Sequence, residues 1–582
     1  MVKLTRSPPP DQVLLGGVFM LKARHFTVRH LLACTLIPGL SLLFPTDAVL
    51  GQSQVRPESQ VRPEPQERLD PHDGPALEGG VVTIGKVAVG DLTFHPLFNS
   101  LGVEREIASL IYGEGLLRVD ESGTSSDGLA YLPIKLSGGR DWVFRLKQGI
   151  EFHDGEPMTA ADVIFTYTRY KAARVYDPVF HRYFQNIGQI AALDPQTVRI
   201  TMKSPIEAFP DRLATLPILP RHQMGPGLFA DAGAHLETTR PIGLGPYRVA
   251  SWPVHDTVTL EANETWHQGR ANLDRVVYRF YPTSESLQAA FIMREVDLIE
   301  VERDGTLKDL KRARSDAKIQ AIVPGSRAFS AVFYNHRHPL LSDSAIRRAL
   351  TYATDRRRIL EEVLVRGAGV LAQGPLHPDF EFKGGDMEFD YRPREALELL
   401  RMQGWEDGDG DGFLDREGRP LRFELLFPRG QTSAEKTVRV VKLNLNHIGI
   451  QVVPVPVTQK ELVQRLGIGS YDAALFVQDF EPTADDLYAV FHSESIGLGN
   501  MLGYRNRQVD RNINFLFGLS DQYREGPVYQ QLEMLLIRDQ PCMFLYFVDT
   551  RYIAYNPTLK NLGRPGEALR SPAAWFWTEY AP

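Results

Sequence analysis

Hydrophobic and polar positions change period repeatedly along the chain. Val81, Val82 and Ile84 open a first strand near Gly79, and Trp142 to Leu146 alternates apolar and polar residues as a half-buried strand does. Asp154-Gly155 and Pro157 then supply a turn. Thr159, three residues before Asp162, caps a helix on which Val163, Ile164, Tyr167 and Tyr170 share one face. Residues 104–112 read as a helix after an irregular loop over 91–100, and Thr197 onward as an alternating strand followed by a proline-punctuated segment.

The second half repeats the theme. Phe329 to Tyr334 reads as a strand ending at Asn335. A long helix capped by Ser342 follows, with Ile346, Ala349, Leu350, Ala353, Leu360 and Leu364 as its stripe and Gly367 as its stop. Leu421 to Pro428, Gln451 to Val457 and Tyr471 to Phe480 are strands separated by helices over 434–447 and 460–466, which predicts an α/β lobe with a mostly parallel sheet. Gln530 to Tyr546 reads as a helix broken at Pro541 and then a strand.

Composition changes this picture little: 43% apolar and 24% charged residues are ordinary for a globular chain of 582 residues. The charge is more informative. Residues 1–51 hold five Lys/Arg and two Asp/Glu, so the rest of the chain carries −7 − 3 = −10, which disfavours a nucleic-acid partner. Cys34 and Cys542 give no disulfide framework, and Cys542, in an apolar run beside Pro541, reads as a small buried thiol.

Residues 1–51 read as a leader. If Met20 starts the signal, Lys22, Arg24 and Arg29 precede an apolar run from Leu31 to Phe44 that is too short to span a bilayer, with cleavage after Ala48 or Gly51. Leu31-Leu32-Ala33-Cys34 has the composition of a lipid-attachment signal, but it opens the apolar run where such a signal closes it, so a freely soluble secreted protein is expected. Residues 52–78, with SQVRPE written twice, read as a proline-rich disordered spacer.

Candidate chemistry is sparse. Gly243 and Gly245 permit positive φ and close backbone approach, but no Lys-Ser/Thr follows, which excludes a phosphate loop. Asp407, Asp409 and Asp411 imitate the first half of a calcium loop; Gly418 stands where the closing bidentate acid belongs, so an Asp/Gly turn is the preferred reading. His95 is a lone loop histidine, and His336 and His338 lack carboxylate or thiol support for a metal. Arg347, Arg348 and Arg356 read as a solvated helix face in preference to a carboxylate site. No Gly-x-Ser-x-Gly, His-Glu-x-x-His or distinctive Cys-His arrangement occurs, which disfavours a secreted hydrolase.

Several segments have a specific wording. Lys147-Gln148-Gly149, Phe152-His153-Asp154-Gly155, Pro157, Thr159-Ala160 and Asp162-Val163 closely resemble the signature of the extracellular solute-binding proteins of family 5, the periplasmic receptors of peptide- and nickel-type ABC importers. Gly243-Leu244-Gly245-Pro246-Tyr247, Arg347 to Arg356, Gly404-Trp405 with the Asp/Gly run, and Asp479-Phe480-Glu481-Pro482 resemble further family motifs in the same order, over residues 79–547.

The resemblance implies a two-lobed α/β periplasmic binding protein fold, cluster C-like, with two interlobe crossings. Lobe I would span 79–325 with an inserted subdomain at about 100–225, lobe II 326–542, and 543–582 would return to lobe I. It implies a periplasmic receptor that captures di- or oligopeptides by hinge closure and delivers them to a permease complex in the inner membrane. The receptor would act as a monomer, without cofactor or catalysis; a receptor for a nickel chelate or another small solute is the alternative. Asp479 is the implied acceptor of a peptide α-ammonium, and Phe480, Tyr504, Gly243, Gly245 and Asn335 are further implied ligand contacts.

Overall fold

Two mixed sheets organise the chain. In the computed structural model the described residues run from Leu77 to Thr578, apart from 78, 89–91, 93, 95, 97–101, 120–123, 173–177, 207–208, 210, 225–239, 252–255, 302–303, 323–327, 384–388, 518–521, 564–568 and 570. The expected leader and nearly all of the expected spacer, with Cys34, therefore lie outside them, as does His95. Among the described residues no helix is long and apolar enough to cross a membrane.

The lobe I sheet has seven strands in the order Lys318–Ile322, Arg551–Tyr555, Leu298–Val301, Val81–Val87, Arg275–Tyr281, Thr257–Ala262 and Tyr247–Ser251. Val81–Val87 runs parallel to Leu298–Val301 and Arg275–Tyr281, and the outer pairs are antiparallel. One face packs on the helices Ser284–Ile292 and Asp304–Ala313 through Leu287, Phe291 and Leu310. The other shares a core with the inserted subdomain, in which Ile134–Leu136, Asp141–Arg145, Thr197–Met202 and Ile187–Asp194 form a four-stranded sheet in that order.

The lobe II sheet has six strands in the order Gly369–Leu371, Cys542–Val548, Ala328–Tyr334, Ala473–Asp479, Arg422–Pro428 and Gln451–Val457, with a core on each face. Its first three pairings are antiparallel and only the last two parallel, which corrects the expectation of a mostly parallel sheet. Buried strands of either direction are continuously apolar, so composition does not distinguish them.

Two further expectations change. The helix read as continuous from Ser342 is two helices, Ser344–Tyr352 and Arg356–Val363, capped by Asp343 and Asp355 through their carboxylates to the N–H groups of Ala345 and Arg358. The stripe survives the break because Asp355 restarts the turn without losing the apolar face. The return to lobe I was expected from residue 543, yet Cys542–Val548 is an inner strand of lobe II and the next strand, Arg551–Tyr555, lies in lobe I. The return therefore crosses at 549–550. A wholly apolar run suits a central strand of either lobe, and only its pairing with Ala328–Tyr334 assigns it. The outward crossing falls between Ile322 and Ala328.

Cys542 is fully buried, and burial pushes its thiol well above the usual range. Thiolate chemistry is suppressed there.

Candidate functional site between the lobes

The signature segment is built as a support. Thr159 donates through both its N–H and its hydroxyl to Asp162 Oδ2, each at 3.0 Å, opening the helix Ala160–Ala172. Asp162 Oδ1 accepts the N–H of Arg221 at 3.2 Å, and the Tyr167 hydroxyl donates to the Leu213 carbonyl at 2.6 Å. His153 Nδ1 accepts the N–H of Gly243 at 3.2 Å, while its Nε2 lies 3.0 Å from the Gly245 carbonyl, so the ring is neutral with its proton on Nε2.

Burial pulls His153 down to about 4, and likewise His336 down to about 3. An unfolded histidine titrates near 6.5, so between pH 6.5 and 4 the unfolded chain binds more protons than the folded one. Stability present above pH 6.5 is therefore expected to fall by up to about 3 kcal/mol for each of the two histidines as the pH drops to 4. Urea midpoints from pH 7 to 4 measure this, and His153→Gln should flatten the slope.

Gly243 and Gly245 are buried, with φ outside the left-handed region. Their small size serves close packing against the end of the helix Gly102–Tyr112. A Cβ would lie 2.1 Å from the Ile111 carbonyl oxygen at Gly243 and 2.3 Å from that of Leu110 at Gly245. Gly245→Ala is thus expected to cost about 1–3 kcal/mol, read as a lower urea midpoint.

Three other implied contacts lie away from the interlobe face. Phe480 is a core side chain packed on Phe329 and Phe491. Ala328 pairs with Asp479 and Tyr334 with Ala473, so Asn335 lies at the end of the lobe II sheet remote from the crossings. Seven residues of strand make that separation about 20 Å. The Asn335 amide donates there to the carbonyls of Gly469 at 3.1 Å and Tyr471 at 2.7 Å. Tyr504 is buried at the same end, its ring against His336 and its hydroxyl donating to Asp539 at 2.7 Å.

Asp479 is placed differently. It ends its strand at the crossing end, its side chain is 41% exposed, and its Oδ2 accepts from Arg105 Nη2 at 2.5 Å. Arg105 belongs to the helix Gly102–Tyr112, so the two lobes meet at this carboxylate. Further contacts flank it. Tyr183 donates to the Asp485 carboxylate at 2.9 Å, and the Arg182 guanidinium sits 3.6 Å from the centre of the Phe517 ring. On the other flank the Ser284 N–H donates to the Gly430 carbonyl at 3.1 Å and the Thr432 hydroxyl to Glu285 at 2.6 Å.

Beside that flank lies a cavity of about 170 Å³ lined by residues of both lobes, among them Lys86, Gln288, Glu300, Gln431 and Thr432. Burial alone depresses the Lys86 ammonium, but Glu106 at 3.0 Å and Glu300 at 2.9 Å hold it above the usual lysine range. Lys86 in turn holds Glu300 down to about 2. Sequence reading missed Arg105, Lys86 and Arg182. No local pattern marks them, because their partners lie hundreds of residues away or on another element.

Asp407, Asp409 and Asp411 are exposed with carboxylate oxygens within 4.8 Å of one another. Their oxygens accept the N–H groups of Gly410, Asp411, Gly412 and Phe413, which is the hydrogen bonding of an Asx-type turn. Arg347 and Arg356, read as solvated, are both 3% exposed. Arg347 donates to the carbonyls of Leu341, Ser342, Asp539 and Gln540, and so neutralises the end of the helix Gln522–Asp539.

Known proteins share this architecture. The chain is 28% identical over 481 residues to the oligopeptide-binding protein AppA of Bacillus subtilis, covering 81% of this chain and 87% of that one. The structure of AppA in complex with a nonapeptide superposes with a TM-score of 0.77 at 27% identity, covering 86% of this chain and 100% of the other. The NikZ structure from Campylobacter jejuni in complex with Ni(L-His) shares the fold, with a TM-score of 0.69 at 20% identity and coverage of 85% and 99%. Residues 135–497, more than half of the chain, match the model of the bacterial extracellular solute-binding proteins, family 5 middle, and the chain therefore belongs to that family.

Proposed function

We propose that this protein is the periplasmic receptor of an ABC importer, capturing peptides between its lobes and delivering them unchanged to a permease complex in the inner membrane. The observation that carries this reading is Asp479, an accessible carboxylate at the crossing end of a lobe II strand that faces a helix of lobe I. The likeness to an oligopeptide-binding protein supports peptide as the ligand class. A peptide α-ammonium entering a closing cleft loses water, and leaving it unpaired costs several kcal/mol, so a carboxylate must replace the hydration. Contacts completed only when both lobes meet shift the population toward closure, the form a permease distinguishes.

Export is proposed to follow from the basic, apolar leader, with cleavage near Ala48 or Gly51, no lipid on Cys34, and a monomeric product. The nickel-chelate alternative gains no support from the histidine pair. His336 and His338 sit at the remote end of lobe II, where the His336 ring meets the Pro541 carbonyl at 2.9 Å and His338 Nδ1 accepts the Leu340 N–H.

Native mass spectrometry of the secreted protein, followed by calorimetry with unmodified peptides of two to nine residues, tests the reading. Co-purified peptides and saturable peptide binding are expected. A co-purified nickel complex, no peptide affinity, or cleavage of the bound peptide would each refute it.

A further inference from the structure

Most exposed large apolar side chains are scattered, but four fall within six residues of the subdomain. Tyr131, Leu132, Ile134 and Leu136 are 39%, 53%, 61% and 45% exposed. Ile134 and Leu136 lie on the short edge strand Ile134–Leu136, paired with Val143 and Asp141. Trp142 and Phe144 of the neighbouring strand point the other way, into the core against Phe209. The Ile134 and Leu136 side chains thus stand on the sheet face opposite that core and lie outside it.

Cations ring this patch. The Arg145 guanidinium lies 4.9 Å and the Lys147 ammonium 6.0 Å from the centre of the Tyr131 ring. Arg199 pairs with Val143 in the sheet, and Arg140 precedes the same strand. Two acids beside the patch accept internal hydrogen bonds: Asp127 from the Leu132 N–H at 2.7 Å and Asp141 from the Thr201 hydroxyl at 2.6 Å. In a chain whose residues 52–582 carry a net −10, this is a local reversal of sign.

We propose that the edge Tyr131–Leu136 is a membrane-surface contact, with the apolar side chains at the level of the lipid headgroups and the surrounding cations on anionic lipid. Apolar groups interleaved with basic ones suit that surface. Each Lys or Arg near an anionic leaflet strengthens attachment by about fivefold, within a Debye length that shields the acidic remainder of the protein. A second copy fits worse. Twofold contact would bring like cations together, and Pro133 with a three-residue strand makes a poor template for strand addition. The contact would hold a receptor without a lipid anchor close to the membrane.

The secreted protein, without its leader, serves for the test. Co-sedimentation is measured with vesicles of pure phosphatidylcholine and of 70:30 phosphatidylcholine:phosphatidylglycerol, at 50 and 300 mM salt. Binding at least about fivefold stronger to the anionic vesicles, weakened by salt, is expected. Ile134→Ser with Leu136→Ser, and separately Arg145→Glu, should each lower it about fivefold or more while thermal melting stays unchanged. Vesicle binding indifferent to lipid charge, variants that bind as well as the original, or a dimer in sedimentation that the Ile134→Ser pair dissolves would overturn the proposal. Retention only on vesicles holding a permease, whatever their lipid charge, would overturn it in favour of a protein partner.

Discussion

Replacing Arg356 by methionine is expected to destabilise lobe II by about 3–5 kcal/mol, because one substitution removes the donor from several buried acceptors at once. The guanidinium is 3% exposed and burial lowers it to about 10, yet it stays charged at neutral pH. Its Nη1 donates to the carbonyls of Ala372 at 2.6 Å and Phe544 at 2.7 Å, and its Nη2 to Gln373 Oε1 at 2.8 Å and to the Phe389 carbonyl. One side chain thereby joins an inner strand to two connecting segments that have no ladder of their own at those atoms. Methionine keeps much of the aliphatic volume but strands these buried acceptors, each at a cost of about 1–3 kcal/mol. The adjacent Arg357 is exposed, and Arg357→Met should stay within about 0.5 kcal/mol. Urea titration followed by fluorescence distinguishes the two; equal midpoints would show that the carbonyls find other donors.

Asp479→Ala should weaken peptides with a free amino terminus by about 100-fold and N-acetylated versions by less than about threefold, since a charge-assisted bond in a closed cleft contributes about 2–5 kcal/mol. Stability should barely change. The partner Arg105 is 56% exposed and Asp479 41%, and an ion pair that open to water is worth at most about 1 kcal/mol. Calorimetry with matched free and acetylated peptides, beside a thermal melt, separates affinity from folding. Equal loss for both peptides would remove the ammonium contact from the mechanism, and a large drop in melting temperature would make the residue structural.

Arg356 and Asp479 also show how far local pattern reaches. Both sit where family wording is easily read, one in an Ala-x-Asp-Arg block and the other before Phe-Glu-Pro. Yet the arginine read as solvated is buried, and local pattern gives the aspartate only a strand end; its reading as an ammonium acceptor comes from the family motif. The elements themselves were accessible. The alternation at Trp142 became Asp141–Arg145, Thr159 and Asp162 opened Ala160–Ala172, and the predicted strand over 451–457 appears with the same limits. The break at Ala353, the strand directions of lobe II and the far-end positions of Asn335 and Tyr504 were not.

By itself the sequence determined the repeating strands and helices, the caps and turns that delimit them, the family, and a carboxylate ending a buried strand. These depend on neighbours within about four residues or on motif wording, so they survive without knowledge of the partner. Tertiary structure alone decided which strand end faces the other lobe, that Arg105 meets Asp479, and that Phe480, Tyr504 and Asn335 turn inward or away. Those outcomes rest on pairings between segments more than a hundred residues apart, where burial and register, unlike local periodicity, select one arrangement among many apolar strands of equal composition.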